Sequence, residues 1–304
     1  MTKKKNVLIV NFNTQELTDA CIKSVNMHVC GCTVYVFDNS DKTPFINTFD
    51  NVTVLNNTNG EIIDFDKWLS KYPNNNKSPE ATKIKGSAKH CYTIEKCLSL
   101  IPDGFVLLDS DVLVKKDFSD LYDEKYIYIA ETHKQMGVNV IRILPFICYI
   151  NSKMCLENGV HFFDDTKMLG LYVSPKGEQY DTGAAFYLNA SNFPHKEIKY
   201  EDYGVHLKGG SWFETHKKFT KRARKIDITI TPESWLERFR YLWDSDYEEN
   251  TENGSIDVVD TKIEKDVETK KTKKPERKKV VSSKSIIALR NHGASSRKIY
   301  LAKV

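Results

Sequence analysis

The sequence predicts an α/β protein, a mostly parallel sheet flanked by helices, followed by a flexible charged C-terminal tail. Three observations carry this. Apolar runs of strand length recur at Asn6–Phe12, Thr33–Phe37, Val52–Leu55 and Phe105–Leu108, and such runs read as strands buried on both faces. Each gives way to polar residues, most plainly at Asp38-Asn39-Ser40-Asp41, Asn56-Asn57-Thr58-Asn59-Gly60 and Asp109-Ser110-Asp111. Segments of helical spacing separate the first two strands and precede the last.

Taken in order, Asn6 to Phe12 is the first strand. Thr14 is placed to cap a helix in which Leu17, Cys21, Ile22 and Val25 share a face. Thr33–Phe37 and Val52–Leu55 are the next strands. Tyr72 to Ser78 reads as a loop by composition. Ser87 is the expected cap of a helix running to Leu100, with Cys91, Ile94, Leu98 and Ile101 on one side. Phe105–Leu108 is the strand that delivers Asp109 and Asp111. Further strands are expected at Tyr126–Ala130 and Val140–Ile150, and helices at Thr182–Ala190 and Pro232–Tyr241. Order is expected to fade after Tyr247, because residues 248–285 hold too little apolar surface to offset chain entropy. A short docking element is expected within 285–304.

The chain has 304 residues, 40% of them hydrophobic, enough for one large core, which is expected over residues 1–245. Its formal charge of +4 is unevenly spread. From Lys262 to the end there are 14 Lys/Arg against 4 Asp/Glu, so the preceding residues are net acidic. The seven cysteines are odd in number and scattered, and Met-Thr-Lys-Lys-Lys leads directly into the first strand without a secretory signal. Reduced thiols and a cytoplasmic setting are expected. Nothing reaches the roughly 18 apolar residues of a membrane span; the run Ile141–Ile150 is short and Pro145 interrupts it.

Asp109 and Asp111, one residue apart beyond a buried strand, offer oxygen ligands to a hard divalent cation. Such cations are commonly held by one or two carboxylates together with substrate phosphates. A bare Asp-x-Asp is also a common solvated turn, so its surroundings decide between the two readings.

Those surroundings resemble the inverting, family 2-like glycosyltransferases of the GT-A (Rossmann-like) fold, over about residues 6–215. Val-Leu-Ile-Val-Asn-Phe-Asn with Leu17, Cys21 and Ser24-Val25 is similar to the family's first strand and helix. Val36-Phe37-Asp38-Asn39-Ser40 is similar to its second strand, and Ser87-Ala88-Lys89-His90 stands where the family has a stretch beside the diphosphate. Leu108-Asp109-Ser110-Asp111-Val112 matches the metal-binding Asp-x-Asp. Tyr149-Ile150-Asn151, Asn158-Gly159-Val160 and Phe163-Asp164 resemble the segment before the catalytic acid. Tyr180-Asp181-Thr182-Gly183 occupies the place of the Glu-Asp motif. His206-Leu207-Lys208-Gly209-Gly210-Ser211-Trp212 resembles a late His-x-x-Gly-x-Ser segment.

The resemblance implies a nucleotide-binding half at about 1–115, an acceptor half at about 116–245, and a nucleotide-sugar donor, expected to be UDP-linked. It implies Mn²⁺, or Mg²⁺, on Asp111 and His206, with Asp109 on the metal through water or on the ribose. Asn11, Asn13 and Asp38 would meet the base or ribose, and Lys89 and His90 the diphosphate. Inversion needs a general base for the acceptor hydroxyl; Asp181 is the first candidate and Asp202 the second.

The acceptor is open: a glycan, a lipid-linked glycan or a modified DNA base. Basic runs at Lys217–Lys225 and Lys270–Lys279 suit nucleic acid. Trp235, Phe239, Tyr241, Leu242 and Trp243 beside Arg238 and Arg240 suit an anionic membrane surface, with the protein peripheral to it. A non-catalytic nucleotide-binding or interaction protein on the same fold is the remaining alternative.

Overall fold

The computed structural model describes residues 4–70, 79–134, 140–163, 181–207, 236–245 and 247, with backbone alone at 68–70, 79–85 and 88. The chain opens with strand β1 (Lys5–Asn11), helix α1 (Gln15–His28), β2 (Cys32–Asp38) and β3 (Val52–Asn56). Helices α2 (Phe65–Ser70) and α3 (Pro79–Leu100) lead to β4 (Phe105–Asp109) and β5 (Val112–Val114). Then come β6 (Tyr128–Ala130), β7 (Thr132–Lys134), β8 (Ile141–Ile143), β9 (Ile147–Ile150), α4 (Ser152–Glu157) and α5 (Ala184–Ala190). β10 (His195–Glu197) and β11 (Gly204–His206) close the described strands.

Among the described residues seven strands form one sheet, in the order β10-β6-β9-β4-β1-β2-β3. Pairs β1/β2, β2/β3, β1/β4 and β6/β10 are parallel, and only β9 runs against its neighbours. The sheet is therefore mostly parallel, and strands from both expected halves build it. β1 has β2 on one side and β4 on the other, so the chain order reverses between β1 and β4. The carboxyl ends of strands at such a switch point form the ligand crevice of open α/β sheets.

Alternation along the strands sorts the core. Val7 and Ile9 of β1 and Val106 and Leu108 of β4 pack with Cys21, Ile22 and Val25 of α1. Leu8, Phe105 and Leu107 face the other way, onto Cys91, Ile94 and Leu98 of α3. This period of two puts Asp109, two residues after Leu107, on the α3 side.

Several elements differ from expectation. α3 begins at Pro79, so Ser87 lies inside it and does not cap it. Thr14 precedes α1, but its side chain makes no cap bond; its hydroxyl donates to Asn11 Oδ1 at 2.9 Å. The run Val140–Ile150 divides into β8 and β9 around Pro145, whose ring fixes φ and removes the ladder donor. α5 starts at Ala184 because Gly183 holds a left-handed φ of 85°. Of the helix expected over Pro232–Tyr241, residues 232–235 lie outside the described part, and Arg240–Leu242 is a 3₁₀ turn. The loop Tyr72–Ser78, the late Gly-Gly-Ser-Trp, both basic runs and the tail beyond Tyr247 also lie outside the described residues. Among the described residues no helix is long and apolar enough to cross a membrane. The described residues include all seven cysteines, and no disulfide forms among them.

Candidate metal centre

β4 carries Asp109 to its carboxyl end, and the chain turns through Ser110 and Asp111 into β5. β11 lies antiparallel on β5, with His206 opposite Val112. Leu207 N–H donates to the Asp111 carbonyl at 2.8 Å. Gly204 permits this contact: a Cβ there would fall 2.7 Å from the Leu113 carbonyl oxygen and 2.6 Å from Ile147 Cδ1. One ligand atom from each of Asp109, Asp111 and His206 thereby comes within 4.8 Å of the others. His206 Nε2 is 3.3 Å from Asp111 Oδ1.

The donor set fits a divalent cation. Burial, then the neighbouring Asp111, pushes the Asp109 carboxyl well above the usual carboxylate range, and Arg142 opposes this only in part. Two carboxylates so close, one of them only 1% exposed, need a positive charge to remain ionised together. Two oxygens and an imidazole suit Mn²⁺ and, less well, Mg²⁺.

His90 comes from α3, with Nε2 3.5 Å from Asp109 Oδ1. Burial pulls its pKa down to about 4, against the opposing pull of Asp181 and Asp111. It is a neutral imidazole at pH 7. Lys89, its neighbour, lies with Nζ 4.9 Å over the Phe65 ring.

Three donors among the described residues hold Asp181. Arg142 Nη1 lies 2.9 Å from Oδ2, while Oδ1 accepts from Ser87 Oγ at 3.0 Å and Thr182 N at 2.8 Å. Its side chain is 44% exposed, and its charge reaches both Asp109 and His90. Asp202 is exposed, in the 3₁₀ turn Tyr200–Asp202 that precedes β11, whereas His206 ends that strand.

Asn11 and Asp38, expected to touch the nucleotide, are each 1% exposed and spend their polar atoms on each other's surroundings. Asn11 Nδ2 donates to Asp38 Oδ1 at 2.8 Å and to Ser40 Oγ at 3.0 Å. Asn11 Oδ1 accepts from Thr14 and Thr18. Asp38 also accepts from Ser40 N and Oγ and, at 2.7 Å, from Phe45 N. Here they shape the loops after β1 and β2 from within. Thr14 carries that network to the Asp-x-Asp turn, its Oγ1 3.2 Å from Ser110 Oγ. Asn13 has a φ of 55°, donates to Asp41 at 2.6 Å and accepts from Lys42 N at 3.1 Å, so its amide braces the same loops.

Sequence reasoning missed Arg142, Ser87's bond to Asp181 and Phe12. Arg142 had a signal, a lone charge inside an otherwise apolar run. Phe12 had a weaker one. It follows β1 directly and is 47% exposed, a large apolar face beside the crevice.

No protein-family profile matches the sequence, and no curated protein does. The solved structures that resemble the chain include glycosyltransferases. The apo form of the glycosyltransferase GlyE of Streptococcus pneumoniae TIGR4 matches at 11% identity and a TM-score of 0.38, over 75% of this chain and 53% of that one. The galactosyltransferase LgtC, in complex with donor and acceptor sugar analogs, matches at 15% and 0.42, over 64% and 73%. Mouse xyloside xylosyltransferase 1, apo form, matches at 8% and 0.43, over 64% and 85%. The chain spans about half the length of the GlyE chain.

Proposed function

We propose that the chain is a metal-dependent glycosyltransferase that moves a sugar from a nucleotide diphosphate, expected to be UDP, to an acceptor hydroxyl. The observation that carries this reading is the meeting of Asp109, Asp111 and His206 at the β1/β4 switch point. Departure of a nucleotide diphosphate builds charge on phosphate oxygens, and a divalent ion supplies Lewis-acid stabilisation of that charge. Asp111 and His206 would hold the ion, with Asp109 completing the set directly or through water. Neutral His90 would orient Asp109 through its ring N–H, and Phe12 would offer the base a stacking face. Lys89 would pair with phosphate after leaving Phe65.

Asp181, partly exposed and electrostatically linked to Asp109, would meet a hydroxyl in front of the metal. In an inverting transfer it would take the acceptor's proton. A second reading has support in the donors that Arg142, Ser87 and Thr182 supply: Asp181 would then accept from a sugar hydroxyl and hold it in place, without taking a proton. The acceptor class follows from neither reading; a glycan, a lipid-linked glycan and a modified DNA base all present hydroxyls.

The test is release of UDP from a panel of UDP-sugars by the full chain. Turnover is expected with Mn²⁺, lost with chelator and restored by added Mn²⁺. Asp111→Asn removes a charged ligand at a strand end and should abolish turnover while the protein still melts cooperatively. Wild-type activity of Asp111→Asn at limiting Mn²⁺ would overturn the metal assignment. Nucleotide binding with no turnover on any donor would favour a non-catalytic binding protein.

A further inference from the structure

Metal-ligating histidines are ordinarily oriented by a hydrogen bond from their second ring nitrogen to a carboxylate, carbonyl or water. Among the described residues nothing makes such a bond to His206; its polar contact is Nε2 to Asp111. Its ring is held differently. Phe146 stacks on the imidazole face to face, with centroids 3.8 Å apart and planes 21° apart. Tyr200 stands edge-on to both, at 5.0 Å and 78° from Phe146 and at 6.5 Å and 86° from His206.

Both rings come from anchored backbone. Phe146 sits in the link between β8 and β9, after Pro145, where Leu144 N donates to the Glu131 carbonyl at 2.9 Å. Tyr200 N donates to the Glu131 carboxylate at 3.1 Å. Glu131 thus ties the two walls of the box together. β11, by contrast, is only three residues long, and a short ribbon alone leaves an imidazole free to turn about χ2.

We infer that Phe146 is a positioning residue for metal binding: its flat face fixes the plane of the His206 imidazole, and Asp111 selects which ring edge points into the centre. An electron-rich aromatic face also suits an imidazole that becomes partly positive on binding a cation. The inference rests on the metal reading above, but it assigns a task to a residue outside the ligand set.

The experiment is Mn²⁺ titration of the full chain, without substrate, followed by calorimetry and by the electron paramagnetic resonance signal of free Mn²⁺. Phe146→Leu and Phe146→Met keep apolar bulk and lose the flat face; two variants guard against one failing to fold. Each is expected to weaken Mn²⁺ binding about 10- to 100-fold, the usual loss when a group supporting a ligand is removed. Phe146→Tyr should restore it. In a His206→Ala background the Phe146 change should add no further loss, since it acts through that ring. Wild-type affinity in both apolar variants, or an equal loss with and without His206, overturns the inference while leaving the metal site standing. If the wild-type chain binds no Mn²⁺, the metal reading itself fails and this inference falls with it.

Discussion

Asp181 shows how much a single carboxylate's role depends on its partners. Arg142, Ser87 and the Thr182 amide take up much of its lone-pair capacity, yet its side chain remains 44% exposed. A base must lose function when it can no longer accept a proton, whereas a purely structural acceptor is partly replaced by an amide. Asp181→Asn is therefore expected to lower kcat by about 10²- to 10⁴-fold with donor KM nearly unchanged. A small kcat change with a lowered melting temperature would instead make Asp181 a brace for Arg142. Anomeric configuration of the product, read by NMR, separates the two further, because retention removes the need for this base. The same scale applies to Asn11 and Asp38, expected at the nucleotide and found bonded to each other beneath the loops after β1 and β2. Polar residues at strand ends look alike in sequence, whether they face a ligand or bond one another under a loop.

Among the elements, the ribbon of β5 and β11 brings His206 to Asp111, and Gly204 decides how closely its strands approach. Gly204→Ala would press a methyl group against the Leu113 carbonyl and Ile147. The backbone oxygen cannot swing aside as a side chain does, so β11 must lift. We expect a loss of about 1–3 kcal/mol in stability, the usual cost of overpacking, together with weaker Mn²⁺ binding. A thermal melt and a Mn²⁺ titration on the same variant check both, and wild-type values in both would show that the ribbon tolerates the methyl. A similar constraint applies at Gly183, whose φ of 85° and close approach to the Ile143 carbonyl oxygen seat α5 against β8. That contact keeps Asp181 next to Arg142. The strand runs were legible because buried parallel strands are continuously apolar. The ribbon was not, because three-residue strands leave no periodicity to read.

For the whole molecule, the sheet and both of its packed faces are built from described residues between Lys5 and Tyr203. A smaller cluster joins Leu17 and Ala20 of α1 to Leu113, Leu207 and Leu242. A chain ending at Glu249 is accordingly expected to melt cooperatively within about 4 °C of the full chain, the shift that about 1 kcal/mol produces in a domain of this size. It should also bind Mn²⁺ equally well. A shortened chain that is unfolded, or that binds Mn²⁺ much more weakly, would place residues 250–304 in the working part of the protein.

The sequence by itself determined the class of sheet, the position of the central strand and the presence of two carboxylates at its end. Those are local properties: apolar runs and turn residues report burial and chain reversal wherever they occur. The family resemblance already joins Asp111 and His206 at one metal, and the tertiary structure brings them together through a close backbone contact. Only the tertiary structure brought His90 to Asp109 by strand parity, gave Asp181 its arginine and left Asp202 at the other end of β11. It also withdrew Asn11 and Asp38 into a buried network. Hydrogen-bond partners and close approaches depend on distances between residues far apart in the chain, and residue order alone does not encode those distances in any short pattern.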